Sequence, residues 1–400
     1  MEVFDVIVIG GGPAGSCCAV SLARRGLSVA IMERGAYDAP KVGETLPPEI
    51  RKLLEPLQVW RRFLDDEHMR SPGTVSVWGS ERPFENDLIF NPYGSGWHVD
   101  RGRFDRMLAD AATDAGSRLL QRAAVRACEQ NPGGTWRIQA RIAGAPREMF
   151  CHALVVAAGR CGCGLSKIGP RTHIDRLVGI VGFFLDAGDG DARTLVEACE
   201  TGWWYCASLP QGRHVAAFMT DGDLIPTAIA QLENVWHEAL RRSVHARARM
   251  SGKVPVGALG VVAADTYRRA RLAGDRWVLA GDAAFTYDPL SAQGIYKAIA
   301  SGVAAAEAIA ASLSGAQGSM LEYSRDADEA FVRYLRTRAE HYRREARWPS
   351  SIFWRRRHES QAGLKGRPIA SSSSSATLSE PPTFDVGQAS AAATSSASER

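Results

Sequence analysis

Apolar positions follow two different rhythms along this chain, and the change of rhythm divides it. Continuous apolar runs at 6–9 and 27–32 predict strands buried on both faces, with a helix between them from 14 to about 25. The stretch 104–115 places its apolar residues on one side of a helix. Strands are predicted at 135–142, 149–152 and 153–158, and a short buried strand at 277–280 precedes a long Ala-rich helix from about 291 to 314. A period of two appears elsewhere. Residues 74–78 and 194–200 alternate, 178–185 reads as a strand, and 202–209 pairs with 214–220 across Pro210-Gln211-Gly212 as a hairpin. Residues 229–250 read as helix. Together the alternating segments predict an antiparallel sheet, half buried with a polar or ligand-facing side, inserted into an α/β domain.

The first strand runs into Gly10-Gly11-Gly12-Pro13-Ala14-Gly15, which fits G-x-G-x-x-G. Gly10 allows the tight turn, Gly12 lets a pyrophosphate approach the backbone, and Gly15 lets helix pack on strand. Pro13 and Ala14 open the helix, whose N-terminal N–H groups and dipole face the phosphates. Glu33 ends the second strand, where its carboxylate can accept hydrogen bonds from a ribose diol. Strand, turn, helix and acid in this order predict a dinucleotide site.

Four hundred residues with 45% hydrophobic and 23% charged positions suit a globular chain of two or three domains. No apolar run in the sequence approaches the roughly 20 residues of a bilayer span, and Met1 lies close to the first strand. Both predict a cytoplasmic protein with no membrane span. Eight cysteines without a secreted spacing read as small buried hydrophobes. Cys161-Gly-Cys163 with Cys151 and His152 is a poor zinc set, so no metal is expected. The net charge of +4 is unevenly spread, with arginines crowded into 333–357 among Tyr334, Tyr342, Trp348, Phe353 and Trp354. That segment either docks its aromatic face on the core or offers a basic surface to an acidic partner; nucleic acid is not the expected ligand. The Ser-, Ala- and Pro-rich stretch 359–400 reads as a disordered tail.

Three further elements separate FAD from NAD. Arg101, at the start of an R-x-x-F-x-x-x-L helix, can neutralise a pyrophosphate, or be an ordinary surface arginine. Gly281-Asp282 follows a buried strand, and a ribityl hydroxyl would partner that carboxylate. Asp288-Pro289-Leu290-Ser291-Ala292-Gln293-Gly294 opens the Ala-rich helix, so free N–H groups would face the flavin pyrimidine and stabilise the anion of reduced flavin. Arg34, Val125 and Gly159 complete the candidate cofactor-binding residues.

With these motifs the chain resembles the FAD monooxygenases of the aromatic hydroxylase superfamily, over residues 3 to about 315. Val42-Gly43-Glu44-Thr45-Leu46-Pro47-Pro48 and Gly202-Trp203-Trp204-Tyr205 look like its halogenase-like branch. Halogenases carry a catalytic lysine shortly after such a segment, whereas no lysine lies between Lys52 and Lys167 here, and their W-x-W-x-I-P motif is missing. Gly96-Trp97-His98-Val99-Asp100-Arg101, the GWWY hairpin and Arg347-Trp348-Pro349 with Phe353-Trp354 look like the monooxygenases of tryptophylquinone cofactor biogenesis, out to about residue 358.

The resemblance implies a discontinuous Rossmann-type FAD-binding domain (1–73, 98–177 and 265–320). It adds an inserted antiparallel-sheet substrate domain (74–97 and 178–264) and a C-terminal helical segment (321–358). It implies hydroxylation of an aromatic substrate through a flavin hydroperoxide, a peptidyl tryptophan being one such substrate. NAD(P)H, or reduced flavin supplied by a separate flavin reductase, would be the electron source. No second G-x-G-x-x-G is present; Gly162 to Lys167 reads as a loop beside the adenosine. Trp78, Trp97, Trp203, Trp204 and Tyr205 are candidates to line the site or to fill the core, with Trp204 chosen as catalytic. His98 and Glu44 are candidate bases, with Asp288 behind them; each reads equally as core histidine, helix cap and N-cap. The alternatives are a small-molecule hydroxylase, reductase or halogenase-like enzyme of secondary metabolism, and a flavin-binding partner protein without turnover.

Overall fold

The computed structural model describes residues 3–39, 41–160, 165, 168–185, 190–226 and 231–359. The chain crosses repeatedly between two sheets. Strand β1 (Val3–Ile9), helix α1 (Pro13–Ala23) and strand β2 (Val29–Met32) open the first. β3 (Gly73–Val77) belongs to the second, and β4 (Gly96–His98) lies in a small sheet beside the first strands' helices. Helix α2 (Arg101–Asp114) and β5 (Ala145–Val156) return to the first sheet. β6 (Leu177–Leu185), β7 (Thr194–Cys199), β8 (Gly202–Leu209) and β9 (Arg213–Asp221) then build the second. Helices α3 (Leu232–Arg242) and α4 (His245–Met250) lead to β10 (Val254–Ala263). β11 (Trp277–Leu279) rejoins the first sheet before α5 (Gly294–Leu313), α6 (Ser319–Arg344) and α7 (Ile352–Glu359).

The first sheet is parallel at its centre in the order β11-β5-β1-β2, with every residue of β2 and β11 buried. That explains the unbroken apolar runs, because helices cover one face and a second core cluster covers the other. The seven-stranded second sheet runs β10-β6-β9-β8-β7-β3 and ends in the short strand Phe84–Asp87. Its period-two pattern has a different cause. One face packs on α3 and α4 through Trp204, Phe218 and Trp236; the other faces the first sheet and the C-terminal helices through Trp203, Met219 and Trp354.

Several boundaries differ from the sequence expectation for physical reasons. The segments 149–152 and 153–158 form one strand, half antiparallel to Trp136–Ile142 and half parallel to β1. The 229–250 helix breaks at Ser243, which is extended, and the Glu197 carboxylate takes the amides of Val244, His245 and Ala246. β10 carries no legible alternation because Pro255, Gly257 and Gly260 dilute its pattern; Gly257 has φ +80° and a register shift lies opposite Gly182. It is an edge strand, with Val254, Val256 and Val261 exposed. The basic aromatic segment is the end of α6 plus α7, and its ring face docks on the second sheet. Contrary to the expectation from apolar runs, α5 is 20 residues long and apolar enough to cross a membrane by length and composition. Half of that stretch is buried, packed on α1 within the fold. The tail reading falls outside the described residues, apart from Glu359 at the end of α7, as do Cys161, Cys163 and most of the loop 162–167.

Backbone meets backbone where α1 crosses α5. A Cβ placed on Gly302 would lie 2.1 Å from the Ala14 carbonyl oxygen. Gly302→Ala is therefore expected to cost about 1–3 kcal/mol by overpacking, read as an earlier midpoint of urea unfolding. An unchanged midpoint would contradict this contact.

Candidate functional site

The turn after β1 shows what each glycine does. Gly10 holds φ +102°, and a Cβ on Gly15 would sit 1.9 Å from the Gly10 carbonyl oxygen. A Cβ on Gly12 would meet nothing within 4 Å, although Gly12 lines a cavity; open space therefore lies directly against its backbone. Glu33 fixes the loop from outside, its Oε2 accepting from Gly11 N and its Oε1 from Gly35 N, both at 2.7 Å. Tyr37 donates its hydroxyl to the Gly11 carbonyl at 2.9 Å.

The cavity holds about 690 Å³ between the two sheets, in the range of cofactor pockets, roughly 300–1,000 Å³. Gly10, Gly12, Pro13, Ala14, Glu33, Arg34, Arg101, Val125, Gly159, Gly281, Asp282, Pro289 and Gly294 all line it. Gly15 does not, because it is spent on the contact with Gly10; Gln293 stands just behind the start of α5 and does not line it either. Arg101 is held by the carbonyls of Val42 (2.7 Å) and Gly43 (3.2 Å) and by the Asp105 carboxylate (3.2 Å).

Asp282 has a partner that sequence reasoning missed. Lys297, one helical turn into α5, donates to its Oδ1 at 2.6 Å and to the Phe285 carbonyl at 2.7 Å. Burial works against charge on Asp282, but Lys297 and Arg160 outweigh it and hold the carboxyl below its usual range. An open backbone at Gly12, two helix N-termini, a cation at Arg101 and acceptors at Glu33 and Asp282 fit a flavin dinucleotide.

Of Glu44, His98 and Trp204, Glu44 lines the cavity and the other two do not. It is 2% exposed; Oε2 accepts from Gly43 N at 2.9 Å, and Oε1 has no partner. Burial pushes its carboxyl up to about 7, against the pull of Arg101 and the loop amides. His98 is corrected to a core residue. It lies fully buried on β4 outside the lining, with Nε2 2.9 Å from Thr194 Oγ1, and burial pushes its imidazole down to about 4, so the ring stays neutral.

Trp204 is also corrected. The alternation of β8 turns Trp203 and Tyr205 inward and Trp204 outward, where its ring lies 5.1 Å from Phe218 and 4.6 Å from Trp236. Trp97 packs on Phe63 in the first domain's core. Asp288 lines the cavity but serves as an N-cap, accepting from Leu290 N at 3.0 Å, and pairs with Arg338. Trp78, Trp203 and Tyr205 do face a separate chamber of about 40 Å³, whose wall shares Tyr205, Pro289 and Ala292 with the main cavity. Among the described residues no cluster of three or more His, Cys, Asp or Glu could hold a metal.

Comparison with known proteins agrees with this geometry. The model of the FAD binding domain family matches residues 3–337. LodB of Marinomonas mediterranea, named as an FAD-dependent oxidoreductase, is 30% identical over 364 residues, covering 90% of this chain and 98% of its own. Among solved structures, the flavin-dependent halogenase CmlS superposes with a TM-score of 0.80 at 25% identity, over 91% of this chain and 70% of its own. The peptidyl tryptophan dihydroxylase QhpG, at 22% identity and TM-score 0.73, covers 89% and 79% and shares the fold.

Two outcomes follow from the placement of these residues. Glu33→Ala removes an acceptor and unpins two amides. Charge-assisted hydrogen bonds contribute roughly 1.5–3 kcal/mol each, so flavin affinity should fall about tenfold or more, seen as released flavin fluorescence. Trp204→Ala should instead destabilise the chain by about 3–5 kcal/mol as a core truncation. A Trp204→Ala protein as stable as wild type, with only turnover impaired, would return that indole to the site.

Proposed function

The chain belongs to the FAD binding domain family and is an FAD-dependent oxidoreductase of the halogenase and hydroxylase superfamily, and from that premise we propose that it is a monooxygenase hydroxylating an aromatic substrate. The observation that carries this reading is the Glu44 carboxyl, buried at the cavity wall with Oε1 free. Hydroxylation of an arene needs a group to take the ring proton, and a carboxyl poised near 7 is suited to it. Tyr205, at the cavity wall, supplies a face against which such a ring can stack.

When bound and reduced, FAD supplies the oxygen-activating chemistry. The protein's own groups do the rest. Gly12 and the start of α1 would hold the phosphates beside Arg101, Glu33 would take the ribose, and Asp282 the ribityl chain. The N-terminus of α5 would hold the pyrimidine end. Val181, Val215, Ala217 and Met219 of the second sheet form an apolar roof that excludes water. Electrons come from NAD(P)H or from flavin reduced by a separate reductase. The likeness to QhpG supports a tryptophan within a protein as the substrate class.

Halogenation is the second reading, supported by the likeness to CmlS. Lys41 is the lysine lining the cavity, and its Nζ is 2.8 Å from Asp105 Oδ2. An amine held in that ion pair is poorly placed to carry a halogen. Photoreduced holoprotein mixed with oxygen, an indole or a tryptophan peptide, and bromide separates the two. Gain of one oxygen atom supports the proposal; a brominated product supports the second reading; reoxidation with every aromatic unchanged sinks both.

Glu44 also sets a pH dependence. Acting as a base, it should make hydroxylation rise with pH through about 7, and Glu44→Gln should abolish that limb with a 10²–10⁴-fold loss of rate. Because the folded carboxyl is raised above its ordinary value, the native state holds an extra proton between about 4.5 and 7. Stability therefore falls as pH rises through that interval. Glu44→Gln should flatten this slope in unfolding measurements.

A further inference from the structure

The loop that leads into α5 is gripped from behind by the C-terminal helix. Asp288 lines the cavity and is 1% exposed. Its Oδ1 caps Leu290 N, while Oδ2 accepts from the Tyr342 hydroxyl at 2.8 Å and from Arg338 Nε at 3.1 Å. Its own N–H donates to the Tyr334 hydroxyl at 2.6 Å. Tyr334, Arg338 and Tyr342 stand four residues apart, so α6 meets the loop with a single stripe. None of the three lines the cavity.

Arg338 is 8% exposed and reaches a second carboxylate, Asp175 Oδ2, at 2.8 Å. Asp175 in turn accepts from Leu177 N and Thr266 N, tying the start of β6 to the same cation. Arg357 of α7 lies 5.2 Å from the Tyr342 ring and pairs with Asp221 at 2.8 Å. One guanidinium therefore stands between two buried carboxylates, and one of these forms the wall beside the N-terminus of α5.

We infer that Arg338 is a positioning residue for the flavin. Through Asp288 it fixes the 288–294 loop and cancels a negative charge that would oppose the anion of reduced flavin. The reasoning is electrostatic. A carboxylate at a dry cavity wall disfavours further negative charge nearby, and a fixed countercharge removes that penalty. Arginine suits the position because its planar fork reaches both acids at once. This goes beyond the proposed hydroxylation, since it concerns the flavin itself and holds for any substrate.

The test is the two-electron midpoint potential and FAD affinity of purified holoprotein, with thermal unfolding recorded in parallel. Arg338→Met should shift the potential negative by at least ~30 mV, a tenfold change for two electrons, and weaken FAD binding. Asp288→Asn, which keeps the cap but removes the charge, should shift it positive. The double variant should return toward wild type. A merely structural role predicts shifts of the same sign in both single variants and no recovery in the double one, and that result overturns the inference. So does a folded Arg338→Met protein with wild-type potential. Should Arg338→Met fail to fold, Asp288→Asn decides: an unmoved potential refutes the assignment, and a positive shift supports it.

Discussion

Contact between bare backbones is the constraint on which this molecule rests. Helix α1 can bring its N-terminus to a pair of phosphates only if it lies directly on the end of β1 and under α5. A side chain at Gly15 would push α1 off the end of β1, and one at Gly302 would push α5 off α1, each by more than an ångström, since their Cβ atoms would fall 1.9 and 2.1 Å from carbonyl oxygens. The rest follows from that proximity. Glu33 reaches Gly11, Asp282 reaches Lys297, and Gly294 opens α5 on the same cavity as Gly12.

Much of the cofactor cleft was legible because its requirements are backbone requirements. A glycine that must make room and an acid that must end a strand leave a signature in residue type and spacing alone. Charged partners leave none. Nothing in the sequence pairs Lys297 with Asp282, or Arg338 with Asp288 fifty residues earlier; those pairings come from helices crossing in space. Glu44 was one of several candidate bases, and only its burial beside the cavity separates it from His98.

The inserted sheet was legible as a sheet but not by face. Trp203, Trp204 and Tyr205 are consecutive aromatics, so apolarity alone cannot tell inward from outward. Register decides: Trp204 lies opposite Glu197 and Phe218 on the side of α3, and Tyr205 lies opposite Val196 and Ala217 on the side of the cavity. His98 misled in a similar way. A polar residue in a strand next to Arg101 suggests chemistry, but its strand is buried throughout and its Nε2 meets the Thr194 hydroxyl rather than the cavity.

The placement of α6 and α7 carries a consequence for biosynthesis. Trp78 donates to the His341 carbonyl, Gly79 N to the Glu345 carboxylate, and the Cys199 carbonyl accepts from Trp354. These ties join early strands to the last described helices. A ribosome-bound chain stopped near residue 337 would have laid down every strand of both sheets, yet would still lack these partners. The inner face of its second sheet would lack Tyr342, Phe353 and Trp354, and its Asp288 would lack Arg338. The nascent protein must therefore wait in a partly closed form until the end of α6 and all of α7 emerge, which makes this segment the latch of the site rather than an appendage to it.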